Sequence, residues 1–206
     1  MAGRLLALGS VLFVVGAANP ALGAVWSAPV ETQLRLIHDA ATAWNVTNAL
    51  FLVGTVLTTA GLWLVPERVG NGGQSLARAA SVAYLVGATA WLASLVFRLT
   101  VTPQVASAFV DGGSIDSTYT LVNLWAVGLF GAFTYLAGGS LIAVGVAVIL
   151  GRAVPAYAAW FAIVIGVVIV IGYAIAGDMP PFAGYLPTGL LGIALMRQRA
   201  PSTPTE

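Results

Sequence analysis

The sequence predicts an all-α polytopic transmembrane bundle with six spans and both termini cytoplasmic. Three observations predict it. Only 7% of the 206 residues are charged and 59% are hydrophobic, whereas a soluble domain carries roughly 25% charged residues. Several apolar runs reach the ~18–20 residues that a hydrocarbon core demands. The arginines, finally, concentrate in alternate connections between those runs.

The spans are read at about 5–26, 46–65, 77–98, 120–150, 155–176 and 181–197, with 198–206 as a disordered cytoplasmic tail. The first begins like a signal peptide, with one arginine, an apolar run and small residues. Its apolar stretch continues past Asn19-Pro20 to Trp26, so it reads as a retained helix kinked at Pro20. The second ends at Pro66, and the sixth is short and carries Pro181 and Pro187.

All eight basic residues are arginine. With the N-terminus inside, Arg4, Arg68, Arg78, Arg152, Arg197 and Arg199 fall inside, while Arg35 and Arg98 fall outside. That is the positive-inside distribution. Among the acids, Glu31, Asp39, Asp111, Asp116 and Asp178 fall outside and Glu67 and Glu206 inside. Arginine-only basic usage with abundant Ala, Gly and Val resembles the usage of a high-GC bacterium, and a bacterial plasma membrane is the expected location.

Between Pro29 and Pro66 there is no proline, and no glycine before Gly54. One continuous helix there would rise about 54 Å against a core of about 30 Å. The stretch ETQLRLIHDAATAWN is therefore expected to extend the second helix outward or to lie along the interface. Glu31–Arg35 and Arg35–Asp39 would form i,i+4 pairs on it. The span from Ser117 to Gly151 is also longer than a membrane, with Asp116 or Ser117 as its N-cap. FLVGTVLTTAG at 51–61 and YLAGGSLIAVG at 135–145 share a spacing that a parallel duplication, or chance in a Gly-rich chain, would produce.

Gly9 and Gly16, Gly54 and Gly61, and Gly138 and Gly145 recur every seven residues. That spacing keeps each pair on one helical face, where small residues let helix backbones approach in lipid. These six are the expected packing positions.

An outer polar cluster of Arg35, His38, Asp39, Arg98 and Asp178 is the candidate site. His38 beside Asp39 has the composition of a proton relay, but also that of a solvated helix face. Arg98 either snorkels to the headgroups, pairs with one of Asp178, Asp39, Asp111 and Asp116, or holds a ligand. Asp178 lies in a Met-Pro-Pro turn that suits a cap as well as a site. Thr and Asn residues along the second span suit interhelical hydrogen bonds or an outward polar cavity. The sequon at Asn45-Val46-Thr47 reads as accidental at a membrane edge.

The chain has no cysteine and one histidine. That excludes disulfides and Cys-ligated metal, and no metal or cofactor is expected. AGGSL at 137–141 lacks the second glycine of an intramembrane serine protease motif, and no catalytic residues are assigned. A near-neutral formal charge of +1 gives no footing for nucleic acid.

The segment VAVILGRAVPAYAAWFAIVIGVV followed by YLPTGLLGIAL resembles uncharacterised six-helix bacterial integral membrane proteins grouped as domains of unknown function, over about 125–197. The resemblance implies fold and membrane location, and no activity. The expected function is that of an accessory, sensory or assembly component with an outward-facing polar surface. The alternative is a small transporter or channel subunit with an outer vestibule. The expected partners are the lipid bilayer and a homo-oligomer or membrane partner subunit.

Overall fold

The computed structural model describes residues 1–197, in which all regular secondary structure is helical; the expected tail at 198–206 lies outside the described residues. Seven α-helices form it: α1 (Ala2–Ala17), α2 (Val30–Asp39), α3 (Ala41–Trp63), α4 (Gln74–Val110), α5 (Ser117–Leu150), α6 (Ala156–Ala176) and α7 (Tyr185–Arg197). Helices α3, α4, α5 and α6 are each long and apolar enough to cross a membrane. A fifth crossing results if α1 and the 3-10 turns across Pro20–Ser27, bent by 54°, act as one span. The outward faces agree with a lipid surround. Helix α6 exposes Tyr157, Trp160, Val164, Val168, Ile171 and Ile175, a continuous apolar face that water would not tolerate.

Helix α1 shows why its sequence stops where it does. Leu6, Gly9, Ser10, Phe13 and Gly16 form its buried stripe. Pro20 has no N–H to continue the ladder. Asn19 takes over, accepting from the Ala21 N–H at 3.2 Å and donating Nδ2 to Thr47 Oγ1 at 3.1 Å. The expected helix to residue 26 thus becomes a helix to Ala17 followed by two short 3-10 turns.

The expected continuous helix across 30–65 is broken. Ala40, with φ −114° and ψ 33°, separates α2 from α3. Helix α2 is amphipathic and turns Leu34 and Ile37 onto the far half of α4. Nothing in an Ala-rich stretch marks such a break. It arises because α2 buries its apolar stripe laterally while α3 descends through the bundle.

Helix α4 runs twelve residues past the expected end at 98 and contains Pro103. Its extension is held by packing: Thr102 and Ala106 are buried. Helix α5 begins at Asp116, whose carboxylate accepts from the Thr118 N–H at 3.2 Å, so the expected N-cap is present. At 37 and 34 residues, α4 and α5 rise about 55 and 51 Å, well beyond a hydrocarbon core of about 30 Å. Their far halves, α2 and the 3-10 segment enclose a second apolar cluster of Leu22, Val25, Leu34, Ile37, Trp44, Phe97, Ala106, Tyr119 and Ala126. We call this end of the bundle the cap.

The opposite end carries Met1, Ala2, Arg4, Arg68, Leu195 and Met196 around a cleft of about 330 Å³. The Gly70 and Gly151 turns touch there. Arg78, in the second turn of α4, and Arg152, just after α5, belong to this end as well.

The segment expected as the last span differs most from expectation. Helix α6 closes on Gly177, whose φ of +68° only glycine adopts freely, with its N–H bonded to Tyr173 O at 2.8 Å. The chain then turns back through Pro180 and a 3-10 turn at Pro181–Gly184. Helix α7 starts beside Phe13 and Thr55, at mid-bundle, and its 13 residues rise only about 20 Å. It is half a span, laid along α1 through Ser10–Thr188 at 2.9 Å and a close Gly192–Gly3 crossing.

Glycines set the helix crossings. A Cβ on Gly54 would lie 2.8 Å from Gly9 O, and one on Gly61 would strike Leu6. Gly16 faces Phe51, Gly138 faces Gly166 O, and Gly145 faces Ala159 O and Ile163. The two similar motifs therefore serve different neighbours. At 54–61 the glycines face α1, which precedes them; at 138–145 they face α6, which follows.

Candidate functional site

The candidate site lies where α3, α4 and the 3-10 turn after α1 meet below the cap. Two hydrogen bonds set the antiparallel register of α3 and α4. Trp44 Nε1 donates to Arg98 O at 2.8 Å near the cap, and Ser81 Oγ donates to Leu62 O at 2.8 Å near the opposite end. Between them, Phe51 faces Trp91, with ring centroids 6.5 Å apart. The same register brings Asn48 level with Ser94.

Trp91, Ser94, Arg98 and Thr102 follow one another at spacings of three and four, so they share one inward face of α4. Arg98 stands at its centre, partly buried. Its guanidinium carbon lies 5.2 Å from the Trp91 ring centroid and 5.5 Å from that of Trp26. Trp26 arrives on the 3-10 turn after the α1 bend and packs against Trp44, centroids 5.7 Å apart. Arg98 is thus clasped by two indole faces, each a favourable seat for a cation.

Polar atoms gather around this clasp without partners. Asn48 donates Nδ2 to Trp44 O at 2.9 Å, leaving Oδ1 unpaired. Ser94 Oγ and Trp91 Nε1 are also buried and unpaired among the described residues. Trp91, Ser94 and Asn48 all have essentially no exposed surface. Unpaired buried donors and acceptors cost about 1–3 kcal/mol each, and three together at one level is unusual.

Arg98 forms none of the expected pairs with Asp178, Asp39, Asp111 or Asp116: no carboxylate lies within 4.0 Å of it among the described residues. Asp178 instead accepts from the Met179 N–H at 2.8 Å, a turn contact. Arg35 lies on the exposed side of α2 with its guanidinium 5.1 Å from the Phe109 ring centroid, and forms neither expected pair with Glu31 or Asp39. His38 is partly buried and Asp39 exposed, and neither side chain hydrogen-bonds among the described residues. They sit on α2, which packs on α4 and on the 3-10 turn that carries Trp26, and neither pairs with Arg98 among the described residues.

A second polar group lies at mid-bundle. Tyr185, the first residue of α7, hydrogen-bonds Thr55 at 2.7 Å and stacks on Phe13 at a centroid distance of 3.7 Å. A cavity of about 20 Å³ beside it is lined by Tyr84, Phe133, Met179 and Pro181 among others. That volume accommodates about one water. Sequence reasoning singled out Arg98 and the Thr and Asn residues of the second span, but not Trp26, Trp91, Ser94 or Tyr185 as their neighbours. The α4 stripe had a usable signal in the three-four spacing of Trp91, Ser94 and Arg98. The Thr55–Tyr185 pair, 130 residues apart, had none.

No cluster of three or more metal-ligating side chains occurs among the described residues. No protein-family model matches the chain, and neither a curated protein nor a solved structure is significantly similar to it.

Proposed function

We propose that the chain is a six-crossing protein of a bacterial plasma membrane with both termini cytoplasmic, acting as a non-enzymatic accessory, sensory or assembly component through its outward-facing cap. The carrying observation is the cap itself. The chain commits α2, the far halves of α4 and α5 and the 3-10 segment to a second apolar cluster beyond the membrane-length region, and sets an arginine clasp beneath it. Such an investment suits a recognition surface rather than a simple lipid anchor. The orientation rests on five described arginines at the end that carries Met1, against two near the cap, as the positive-inside tendency requires. The sixth crossing is completed by the Pro-rich return and the half-length α7.

The absence of cysteine makes the test clean. A single cysteine replacing Ser114, in the turn between α4 and α5, should react with a membrane-impermeant maleimide on intact cells. One replacing Asn71 should react only after lysis. The reverse pattern would sink the orientation and, with it, the outward cap. Partner capture by crosslinking from the same Ser114 position then separates an accessory subunit from a self-contained protein.

The broken α7 favours a second reading, a small transporter or channel subunit. Half-helices meeting at mid-membrane are a transporter device. A cavity of about 20 Å³ admits no solute larger than water, so this reading requires a second conformation. Saturable uptake into vesicles by the purified chain would support it over the first.

A further inference from the structure

We propose that the Arg98 clasp is a phosphate-binding site at the membrane interface, taking the phosphate oxyanion of a phospholipid headgroup or of a free phosphate. The inference rests on reading the cap as the working face, and adds the ligand class of the site beneath it.

Charge comes first. Arg98 holds five N–H donors in a planar fork. No side-chain hydrogen bond from it to any described residue is formed, and no carboxylate lies within 4.0 Å. The Trp26 and Trp91 faces favour the cation but accept no N–H in the plane of the fork. A bidentate oxyanion fits that donor edge.

The neighbours supply further donors. Ser94 lies one helical turn before Arg98 on the same face, and Trp91 one turn before that. Ser94 Oγ and the Trp91 indole N–H, both fully buried, are unpaired among the described residues. A tetrahedral phosphate presents oxygens in several directions, which suits donors spread along one helix face, as the fork, the hydroxyl and the indole are. A planar carboxylate has only two oxygens to share. Asn48 Oδ1, the unpaired acceptor at the same level, suits a phosphate oxygen that retains its proton, or a bridging water.

Depth agrees with chemistry. Trp63 and Trp160 are exposed at the end that carries Met1, where indoles mark a membrane interface. The α3–α4 register puts Trp63 level with about Ala80. From Ala80 to Arg98, α4 climbs about 27 Å, close to the hydrocarbon thickness of about 30 Å. Arg98 therefore lies at the opposite headgroup layer, where phosphates are. Trp26, 39% exposed, is the indole of the clasp that reaches the surface.

The test uses the full chain in neutral detergent. Tryptophan fluorescence is followed during titration with dihexanoyl phosphatidylglycerol and, separately, with inorganic phosphate; native mass spectrometry counts retained phospholipid. Saturable binding is expected, weakened about tenfold or more by Arg98→Gln, the loss of a charge-assisted contact. Arg98→Lys should recover part of it. Ser94→Ala, which removes only a hydroxyl and guards against misfolding, should weaken it about three- to tenfold. Binding of the lipid alone assigns a headgroup, and binding of both probes assigns free phosphate. No saturable response to either probe, or affinities of Arg98→Gln and Ser94→Ala within about twofold of the parent, would overturn the proposal. Cysteine labelling of the cap reads orientation independently, so the two readings fail separately.

Discussion

The Trp44 indole nitrogen donates to the Arg98 main-chain carbonyl across 2.8 Å. One residue from α3 thereby holds the backbone of the residue whose side chain two other tryptophans grip. This bond fixes the height at which the guanidinium enters the clasp, and it ties the top of α3 to the helix that carries the cap. Below it the bundle is packed through glycines, and above it through α2. The junction between the two apolar clusters is therefore polar and aromatic, and the two halves respond differently to mutation.

Leu34 and Ile37 anchor α2 on α4, each with about 2% exposure or less. Leu34→Ala should destabilise the cap by about 2–5 kcal/mol, the usual cost of a large-to-small change in a packed core. The loss should be local. Hydrogen exchange in α2 should accelerate while thermal unfolding of the spanning helices in detergent changes little. A matching collapse of α3 and α6 protection would show that cap and bundle fold as one unit.

How much of this was legible in the sequence follows from the same residues. Composition and apolar run length sufficed for an all-helical chain with membrane-length helices, because the hydrophobic demand of lipid is written residue by residue. The break at Ala40 was not legible. Alanine is the best helix former, and only the lateral burial of Leu34 and Ile37 forces the turn. Arg35 illustrates a related failure. Sequence spacing offers it Glu31 and Asp39, but an exposed ion pair is worth only about 0.2–0.5 kcal/mol. The Phe109 face, brought in by tertiary packing, is where the guanidinium rests. For Arg98, polarity and depth marked a residue of interest. Its surroundings depend on where the chain goes after Pro20, which local sequence does not encode.

The glycine crossings separate two kinds of position. A Cβ on Gly9 would lie 2.7 Å from Gly54 O and collide with Thr58. Gly9→Ala should push α1 from α3 and lose about 1–3 kcal/mol, as overpacking does. A Cβ on Gly128 would meet nothing within 4 Å. Gly128→Ala should instead be neutral or gain up to about 1 kcal/mol, since alanine is the better helix former. Thermal unfolding in one detergent, on both variants, checks the contrast. Equal losses would remove close backbone approach as the cause.

Asp116 caps α5 from outside the spanning segment. Bonds from the Thr118 N–H and the Ser117 hydroxyl, both 3.2 Å, hold its carboxyl below the ordinary carboxylate range. A group whose folded value is depressed stabilises the folded state in full above its ordinary value, and loses that contribution as pH falls through the depressed one. Amide exchange in the first turn of α5, corrected for intrinsic rates, should therefore quicken under acid in the parent. Asp116→Ala should already be quick at neutral pH and show no such step. Retention of the acid step in Asp116→Ala would assign it to another group.

Thr55 and Tyr185 join two helices at mid-bundle through one 2.7 Å bond between fully buried hydroxyls. In water such a bond competes with solvent. Within a membrane each hydroxyl has few alternatives, yet threonine can still turn to its own helix carbonyl, as Thr59 does to Thr55 O at 2.8 Å. That escape limits the loss when the partner is removed. Tyr185→Phe, which keeps the ring stacked on Phe13 at 3.7 Å, should cost about 0.5–1.5 kcal/mol. Thr55→Val should cost a similar amount. The double variant should cost less than the two together, with a coupling of about 0.6 kcal/mol, the average for interhelical hydrogen bonds in membranes, and no more than about 1.7 kcal/mol. Reversible unfolding of all four proteins in mixed micelles gives the cycle. Additive losses would mean that the hydroxyls act independently, and that α7 is held at mid-bundle by the Phe13–Tyr185 stack and the Gly192 crossing alone.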